Sequence, residues 1–222
     1  MEKYTWADPP GESAFPIAKA GYPLIYAGAF ATTIMALLGF QILSVLFLCF
    51  TIFTCFFFRD PDRLIPNEEK GIVSPADGRV LTVNVVDSNP FIEGRALKIS
   101  IFMSVFNVHV NRNPVAGSVK RVIYNPGHFF RANLDKASRE NEHNAIVLDH
   151  AGHEVCYVQI AGLVARRILC GIKPGDQVIQ GQRFGMICFG SRLDVYLPVG
   201  ADPRVLPGDK VFAGSTVIGN MP

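Results

Sequence analysis

Apolar and polar positions divide the chain into one uninterrupted apolar segment and a longer region of short apolar runs. Residues 20–58 carry no charged side chain. One membrane-spanning helix needs about 20 mostly apolar residues, so this segment predicts a helical hairpin that breaks near Gly39 and Gln41. The polar residues 1–19 ahead of it predict an N-terminal tail. A buried helix pair in a soluble protein is the alternative that this pattern leaves open.

The chain from residue 59 onward shows a different pattern. Runs rich in valine, isoleucine and phenylalanine recur between turn residues, which is typical of strands. Only residues 130–140 favour a helix. We therefore predict a mainly β domain over residues 59–222, preceded by the hydrophobic helical hairpin. The runs occupy residues 79–83, 97–102, 118–124, 144–148 and 154–160.

A short internal repeat refines this fold class. Residues 174–181 and 207–214 each begin with Pro-Gly-Asp and continue into an apolar run. Glycine and aspartate in this order favour a tight turn that leads into a strand. Such turns are similar to those of the barrel-sandwich folds in lipoyl and biotinyl carrier domains. We therefore expect a barrel-sandwich-like β domain, a type of fold that carries or binds as often as it catalyses.

Charge and cysteine usage narrow the partners and the compartment. The formal net charge is only +2 at pH 7, which argues against nucleic acid as the main partner. The five cysteines form no Cys-x-x-Cys pair, which indicates a reducing compartment without disulfides and no metal site. Lys19, Arg59 and Arg63 flank the apolar hairpin, so both ends are expected in the cytoplasm by the positive-inside rule. These features predict a protein at the cytoplasmic face of the cell (inner) membrane.

The most suggestive candidate for chemistry is the bond between Gly190 and Ser191, which lies between two apolar, strand-like runs. A serine hydroxyl can attack the carbonyl group of the preceding residue, and glycine has no side chain to block the attack. Cleavage at this bond would make Ser191 a new N-terminus. The serine could then be converted into a ketone.

Two further residues are candidates for acid–base chemistry. Asp77 lies in an Ala-Asp-Gly turn, where an aspartate that bonds its own backbone is an equally good explanation. His109 alternates with Asn107 and Asn111, so a strand would place all three on one face. An imidazole on a polar face is available for proton transfer, although an ordinary surface strand would show the same alternation.

The remaining candidates are individually weaker. His143 lies in the polar cluster Asn-Glu-His-Asn at residues 141–144, which alone reads as an ordinary loop. Arg166 and Arg167 follow a small apolar segment. A guanidinium group there could hold a phosphate, and a solvated arginine pair is the alternative.

Taken together and in order, six segments resemble the phosphatidylserine decarboxylase family, in its short membrane-associated form. The resemblance covers roughly residues 55–219, and the set is specific although each segment alone is weak. The segments are Phe-Phe-Arg-Asp-Pro-Asp-Arg at 57–63, Ser-Pro-Ala-Asp-Gly-Arg-Val at 74–80, Asn-Val-His-Val-Asn-Arg at 107–112, Asn-Glu-His-Asn at 141–144, Gln-Ile-Ala-Gly-Leu-Val-Ala-Arg-Arg-Ile at 159–168 and Phe-Gly-Ser-Arg-Leu-Asp-Val at 189–195.

The resemblance implies a self-processing proenzyme that carries a pyruvoyl group derived from Ser191. Ser191 would attack the Gly190 carbonyl group, and the resulting ester would be eliminated to leave a β chain (1–190) and an α chain (191–222). The new ketone would form a Schiff base with the substrate's amine and accept the electrons released when carbon dioxide leaves. The implied substrate is phosphatidylserine, and the implied product is phosphatidylethanolamine.

The resemblance also assigns helpers to Ser191. Asp77 and His109 are the implied catalytic residues, with His109 as the base in maturation or the proton donor after decarboxylation. The long-form members carry a second histidine three residues after the first, whereas this chain has Arg112 there. Their aspartate–histidine–serine relay therefore does not transfer intact, and His143 is the candidate to fill the gap. Arg166 and Arg167 remain the candidates to bind the substrate phosphate.

Ser215 is a competing cleavage point, because its Gly-Ser-Thr context is superficially closer to the long form's Leu-Gly-Ser-Thr motif. Cleavage there would release only residues 215–222. The internal repeat also explains this segment as the strand after a second Gly-Asp turn. We therefore predict cleavage before Ser191.

Two other functions stay open at this stage. The same reaction on an ether-linked, archaeal-type phosphatidylserine analogue is hard to separate, because the site would see the same headgroup. A non-enzymatic, membrane-anchored adaptor would explain the anchor and the repeat, but not the ordered polar motifs. The sequence is compatible with a homo-oligomer and does not define one.

Overall fold

The computed structural model of the protein describes residues 3–8, 15–128, 140–162, 167–188 and 191–222. The chain forms two compact units, of which one is Gly11–Asp62 and the other combines Met1–Pro10 with Arg63–Pro222. The helix predicted over residues 130–140 falls, apart from Glu140, outside the described residues. It therefore stays a prediction.

The smaller unit is an antiparallel pair of helices, α1 (Tyr22–Leu37) and α2 (Gln41–Phe57), preceded by a short 3-10 turn at Lys19–Gly21. Gly39 lies in the connection with a φ of +80°, a conformation that glycine adopts without steric cost. The predicted break in the apolar segment is therefore confirmed.

Small and hydroxyl-bearing residues let the two helices approach closely. A side chain at Gly28 would meet the Thr51 hydroxyl, and Ser44 Oγ donates a hydrogen bond across the pair to the Thr32 carbonyl (3.1 Å). The backbone amide of Ala18 donates to the carbonyl of Phe58 (2.8 Å). The two ends of the hairpin therefore lie side by side, as predicted.

Apolar side chains cover the outside of this helical pair, and many of them are exposed. In length and composition, the helical segment Lys19–Leu37 is sufficient to cross a membrane, and α2 is a shorter apolar helix. An isolated helix with apolar residues on all sides needs an apolar environment. The hairpin therefore suggests association with a membrane.

The secondary structure described in the larger unit is almost entirely β-strand. They are β1 (Tyr4–Trp6), β2 (Leu64–Pro66), β3 (Gly71–Val73), β4 (Gly78–Val86), β5 (Ala96–Met103), β6 (Val110–Arg112), β7 (Gly117–Asn125), β8 (His143–His150), β9 (His153–Ala161), β10 (Ile168–Cys170), β11 (Gln177–Val178), β12 (Arg183–Ile187), β13 (Ser191–Pro198), β14 (Asp202–Pro203), β15 (Lys210–Val211) and β16 (Val217–Asn220).

One antiparallel sheet of eight strands, in the order β11-β7-β8-β9-β13-β5-β4-β15, forms the frame of this unit. Its inner face packs against two three-stranded sheets, β10-β12-β6 and β14-β16-β3, around one core that includes Ile72, Phe184 and Ile218. Its outer face carries a second apolar cluster that includes Phe91, Val147 and Tyr196. The mainly β, barrel-sandwich-like fold preceded by an apolar helical hairpin is therefore confirmed.

The internal repeat forms two equivalent turns at the two edges of the large sheet. Gly175 and Gly208 have φ values of +93° and +100°. Asp176 and Asp209 each accept a hydrogen bond from the backbone amide three residues earlier, at 2.9 and 2.8 Å. Each turn leads into a two-residue edge strand, β11 or β15. The turn-then-strand prediction is therefore confirmed for both copies.

Candidate active site

Ser191 is the first residue of β13, in the middle of the large sheet. It pairs with Met103 on one side and Ala161 on the other. Its side chain points to the inner face with Leu193 and Val195 and is fully buried. Ser191 Oγ donates a hydrogen bond to Met103 Sδ at 3.3 Å. The serine hydroxyl is therefore enclosed by the core and excluded from water.

A second nucleophile, Cys188, lies three residues upstream. Burial raises the pKa of its thiol, and the positive charge of Arg167 opposes this shift only in part. The thiolate rather than the thiol is the reactive form of cysteine. Cys188 is therefore mainly in its protonated thiol form at neutral pH.

His109 is brought to the same region by the backbone. The chain leaves β5 at Met103, which faces Ser191, and returns through His109 into β6. The carbonyl group of His109 accepts a hydrogen bond from the amide of Ile187 (3.4 Å), four residues before Ser191. The His109 side chain is fully buried, so it is not part of an ordinary surface strand.

The expectation of one continuous strand through Asn107, His109 and Asn111 is wrong. A turn separates β5 from β6, and Asn107 Oδ1 closes it by accepting hydrogen bonds from the backbone amide and the hydroxyl of Ser104, both at 2.8 Å. Only Val110–Arg112 is a strand. The period-2 pattern was misleading because an asparagine that closes a turn also fits strand alternation.

Asp77 makes two described contacts through its carboxylate. Oδ2 pairs with Arg63 Nη2 at 2.9 Å, and Oδ1 accepts the backbone amide of Ala213 at 2.8 Å. The carboxylate therefore ties the start of the β domain to the end of the second repeat.

Arg112, which stands where long-form relatives have a histidine, is also buried. Its Nη1 atom donates to the Gly181 carbonyl at 2.9 Å and lies 3.4 Å from Asp8 Oδ2. Its backbone amide donates to the Pro75 carbonyl at 3.0 Å. These contacts join Arg112 to the N-terminal strand segment and to the first repeat.

His143 lies on the other face of the sheet from Ser191. It alternates with Asn144 on β8 and shares the outer face with Ala145 and Val147. Its Nδ1 atom donates to the Asn141 carbonyl at 2.7 Å, and Nε2 accepts from Asn125 Nδ2 at 3.0 Å. The sheet itself stands between the two side chains, so the structure does not bring the His143 imidazole together with the Ser191 hydroxyl.

The outer face next to Ser191 holds a buried cluster of charges. Asp194 accepts Arg192 Nε at 2.6 Å and Lys98 Nζ at 3.1 Å, and Arg192 Nη2 donates to Ser100 Oγ at 2.9 Å. Strand alternation would place these residues on one face, but only the register between β5 and β13 puts them opposite one another. Sequence reasoning therefore missed this cluster.

Three amide side chains lie on the inner face near Ser191 and were also missed as a group. Asn111, Gln159 and Asn144 come from β6, β9 and β8, and all three are buried. They are joined by hydrogen bonds of 2.9 and 3.1 Å. Their spacing of 48 and 15 residues in sequence leaves no local signal by which they could have been grouped.

The other predicted positions divide into described and undescribed residues. Gly190 and Arg166 lie outside the described residues. Arg167 is exposed, and its carbonyl group accepts the amide of Cys188 at 3.1 Å. Ser215 is partly exposed in a turn, where its Oγ donates to the Leu64 carbonyl at 3.2 Å. The two competing serines therefore occupy contrasting environments. Ser191 is buried at the start of a strand, whereas Ser215 is partly exposed to solvent in a turn.

The fold and site together define a β protein in which one buried serine begins a central strand. A separate helical pair in the same chain is covered by apolar side chains. Residues 50–219 match the family of phosphatidylserine decarboxylases. The chain is 47% identical over 207 residues to the phosphatidylserine decarboxylase proenzyme of Desulfotalea psychrophila, covering 93% of this chain and 97% of the relative. It is 49% identical to proteins of the same name from Geotalea uraniireducens (93% and 97% covered) and Burkholderia pseudomallei (93% and 95%). The chain belongs to the phosphatidylserine decarboxylase family.

Proposed function

We propose that this protein is a self-processing, pyruvoyl-dependent decarboxylase that converts phosphatidylserine into phosphatidylethanolamine and carbon dioxide. Family membership makes it a carboxy-lyase of phospholipid metabolism, and the relatives are named as proenzymes. The observation that carries the processing step is the fully buried Ser191 at the first position of a central strand. Cleavage before Ser191 would leave a β chain of residues 1–190 and an α chain of residues 191–222.

The surroundings of Ser191 suit a pyruvoyl group. Conversion removes the hydroxyl oxygen and turns the Ser191 side chain into a methyl group. Met103 Sδ contacts that side chain now, and a thioether both accepts a weak hydrogen bond and packs against a methyl group. The pyruvoyl group would supply a carbonyl group that withdraws electrons from the substrate's α-carbon.

The chain's own residues would hold the α chain in place and transfer protons during the reaction. Pairing of β13 with β5 and β9 would hold the α chain in place after cleavage, because backbone hydrogen bonds along both edges of β13 tie it to the β chain. We assign proton transfer to His109. Its imidazole is buried, and it follows the turn that begins directly after Met103, the residue paired with Ser191. We assign Asp77 to support of this region and Arg167, with Arg166, to the substrate phosphate. His143 is assigned to the wall of the outer face.

The remaining candidates are less well supported. A non-enzymatic adaptor conflicts with membership of a decarboxylase family. An ether-linked analogue carries the same headgroup, but the relatives are named for phosphatidylserine.

We also propose that the apolar hairpin anchors the enzyme at the cytoplasmic face of the inner membrane, where the serine headgroup of the substrate is presented. No role for a resident metal is proposed.

Intact mass spectrometry of the purified protein tests the proposed processing. We expect two chains that meet at Gly190 and Ser191, with the smaller chain blocked at its N-terminus by a pyruvoyl group. The same preparation should release carbon dioxide from phosphatidylserine. A single uncut chain in a preparation with decarboxylase activity would contradict the proposal.

Removal of residues 20–56 tests the anchor. We expect the truncated protein to move from the membrane pellet to the soluble fraction, because the exposed apolar side chains of the two helices are lost. The β domain should keep its fold, since its apolar core is built from residues 72–221. Fractionation by ultracentrifugation and circular dichroism measure the two outcomes. Retention of the truncated protein in the pellet would count against the anchor.

A further inference from the structure

The three buried amides beside Ser191 form a directional chain of hydrogen bonds. Asn144 Nδ2 donates to Gln159 Oε1 (3.1 Å), and Gln159 Nε2 donates to Asn111 Oδ1 (2.9 Å). Asn111 Nδ2 then faces Met103 Sδ at 3.8 Å. Each amide thus presents its nitrogen to the next acceptor, and the chain ends at the sulfur atom that also contacts Ser191.

A backbone carbonyl sets the direction of this chain. Gln159 Nε2 also donates to the Leu169 carbonyl at 3.3 Å. A carbonyl oxygen can only accept a hydrogen bond, so the nitrogen of Gln159 must face Leu169 and Asn111. Asn111 must therefore turn its oxygen toward Gln159 and its nitrogen toward Met103.

The neighbouring strand leaves room for this arrangement. A Cβ atom at Gly185 on β12 would clash with the Leu169 oxygen and lie 3.0 Å from Gln159 Nε2. Any larger residue would therefore displace the carbonyl that orients Gln159. The absence of a side chain at Gly185 therefore leaves the space that Gln159 and the Leu169 carbonyl occupy.

The chain ends on a poor acceptor. Ser191 Oγ and Asn111 Nδ2 both point at Met103 Sδ, at 3.3 and 3.8 Å. A thioether sulfur accepts only weak hydrogen bonds, and a buried amide donor gains free energy when it finds a strong acceptor. Asn111 is therefore an oriented donor that shares a weak acceptor with the Ser191 hydroxyl, and a stronger acceptor near this sulfur would replace it.

We propose that Asn111 supplies the hydrogen bond that stabilises the oxyanion formed during self-cleavage, and that Gln159 and Asn144 act as its positioning residues. The inference rests on the proposed cleavage before Ser191. In that step Ser191 Oγ gives its proton to a base and bonds to the carbonyl carbon of residue 190. The π electron pair moves onto the carbonyl oxygen, which is then bonded to the same carbon as Oγ and accepts the hydrogen bond from Asn111 Nδ2.

The step then completes without any outside reagent. The oxyanion returns its electron pair to the carbon, the bond from that carbon to the Ser191 nitrogen breaks, and the nitrogen takes up the proton. The product is an ester and a free amine, and nothing is oxidised or reduced. A donor oriented in advance in a dry site lowers the barrier of such a step, and loss of one such donor slows it by about 10²–10³-fold.

Two variants of Asn111 test this role. Asn111→Leu removes the amide with an apolar group of similar size, and Asn111→Asp keeps the shape but replaces the donor with an acceptor. We expect both precursors to be cut about 10²–10³-fold more slowly than the wild type, measured by intact mass after timed cell-free synthesis. Gln159→Leu should also slow cleavage, because Asn111 would lose the partner that orients it. Should Asn111→Leu fail to fold, the isosteric Asn111→Asp decides.

Tyr157→Phe is the matched control. It removes another buried hydrogen bond of the same core, from Tyr157 Oη to Asn113 Oδ1 (2.6 Å), and should be cut at the wild-type rate. Hydroxylamine cleaves esters and so separates steps before the ester from steps after it. We expect it not to rescue the Asn111 and Gln159 variants, since their ester does not accumulate. Rapid cleavage of these variants with hydroxylamine would place the defect after the ester and overturn the proposal.

The outcome also separates this inference from the proposed function. If the wild-type chain is not cut between residues 190 and 191, the proposed processing fails and the inference fails with it. If the wild type is cut and the Asn111 variants are cut equally fast, only the role of Asn111 is overturned.

Discussion

Ser191→Ala is expected to leave the protein as one uncut chain without decarboxylase activity. Alanine has no hydroxyl group to attack the preceding carbonyl, so neither the ester nor the new N-terminus can form. The fold should survive, because within the described residues the hydroxyl donates a single hydrogen bond, to the Met103 sulfur. Intact mass spectrometry reports cleavage, and release of carbon dioxide from phosphatidylserine reports activity.

Ser215→Ala is the matched control for this experiment. It removes the hydroxyl group of the serine that follows Gly214, the competing cleavage point. In the structure, Ser215 Oγ donates to the Leu64 carbonyl in a turn. We expect this variant to be cut and active like the wild type. Continued cleavage in Ser191→Ala, or an uncut Ser215→Ala, would mean that Ser215 is the processed serine.

Asp194→Ala is expected to cause a large loss of stability in the β domain. Asp194 is fully buried and is the anion between the Arg192 guanidinium and the Lys98 ammonium groups. Its removal leaves the nearly buried Arg192 and the partly buried Lys98 without the carboxylate that both contact. Breaking a buried ion pair in this way costs about 3–5 kcal/mol.

The measurement is best made in the Ser191→Ala background, where the chain stays in one piece and unfolds as a single polypeptide. Thermal unfolding in detergent should show a large drop in midpoint for Asp194→Ala. Asp87→Ala is the control, because Asp87 pairs with Arg95 at the surface, where both side chains are mostly exposed. Such a pair contributes less than about 1 kcal/mol. Equal midpoints for the two variants would show that the buried cluster does not stabilise β13.

The two expected effects are connected by position. Ser191 and Asp194 lie on the same strand and point to opposite faces of the sheet. The proposed cleavage would take place at the inner face. At the outer face, the ion pairs of Asp194 with Arg192 and Lys98 hold the strand in position. Loss of the charge cluster should therefore also slow cleavage, because residue 191 would no longer be held against Met103 and Ala161.

Local patterns were sufficient for the architecture. The uncharged segment predicted the hairpin and its break at Gly39 because glycine in a positive-φ turn is a local requirement. The Pro-Gly-Asp repeats predicted two turns for the same reason. The strand pattern failed at Asn107, where a side chain that closes a turn took precedence over alternation.

The site was predictable only in part. The ordered motifs, set beside a known family, selected the Gly190–Ser191 bond and the residues His109 and Asp77. They did not reveal that the sheet separates His143 from Ser191, because a residue's face depends on which strands surround it. Nor did they group Asn111, Gln159 and Asn144, which are brought together from three separate strands.

The sequence by itself determined the apolar helical hairpin, the mainly β fold, the repeated turns and the serine at which the chain is proposed to cut itself. These properties depend on neighbouring residues and on composition. Only the tertiary structure decided which side chains surround that serine, which face of the sheet each occupies and which acceptor each buried amide meets. Those properties depend on strand register, because a shift of one residue moves every side chain to the other face.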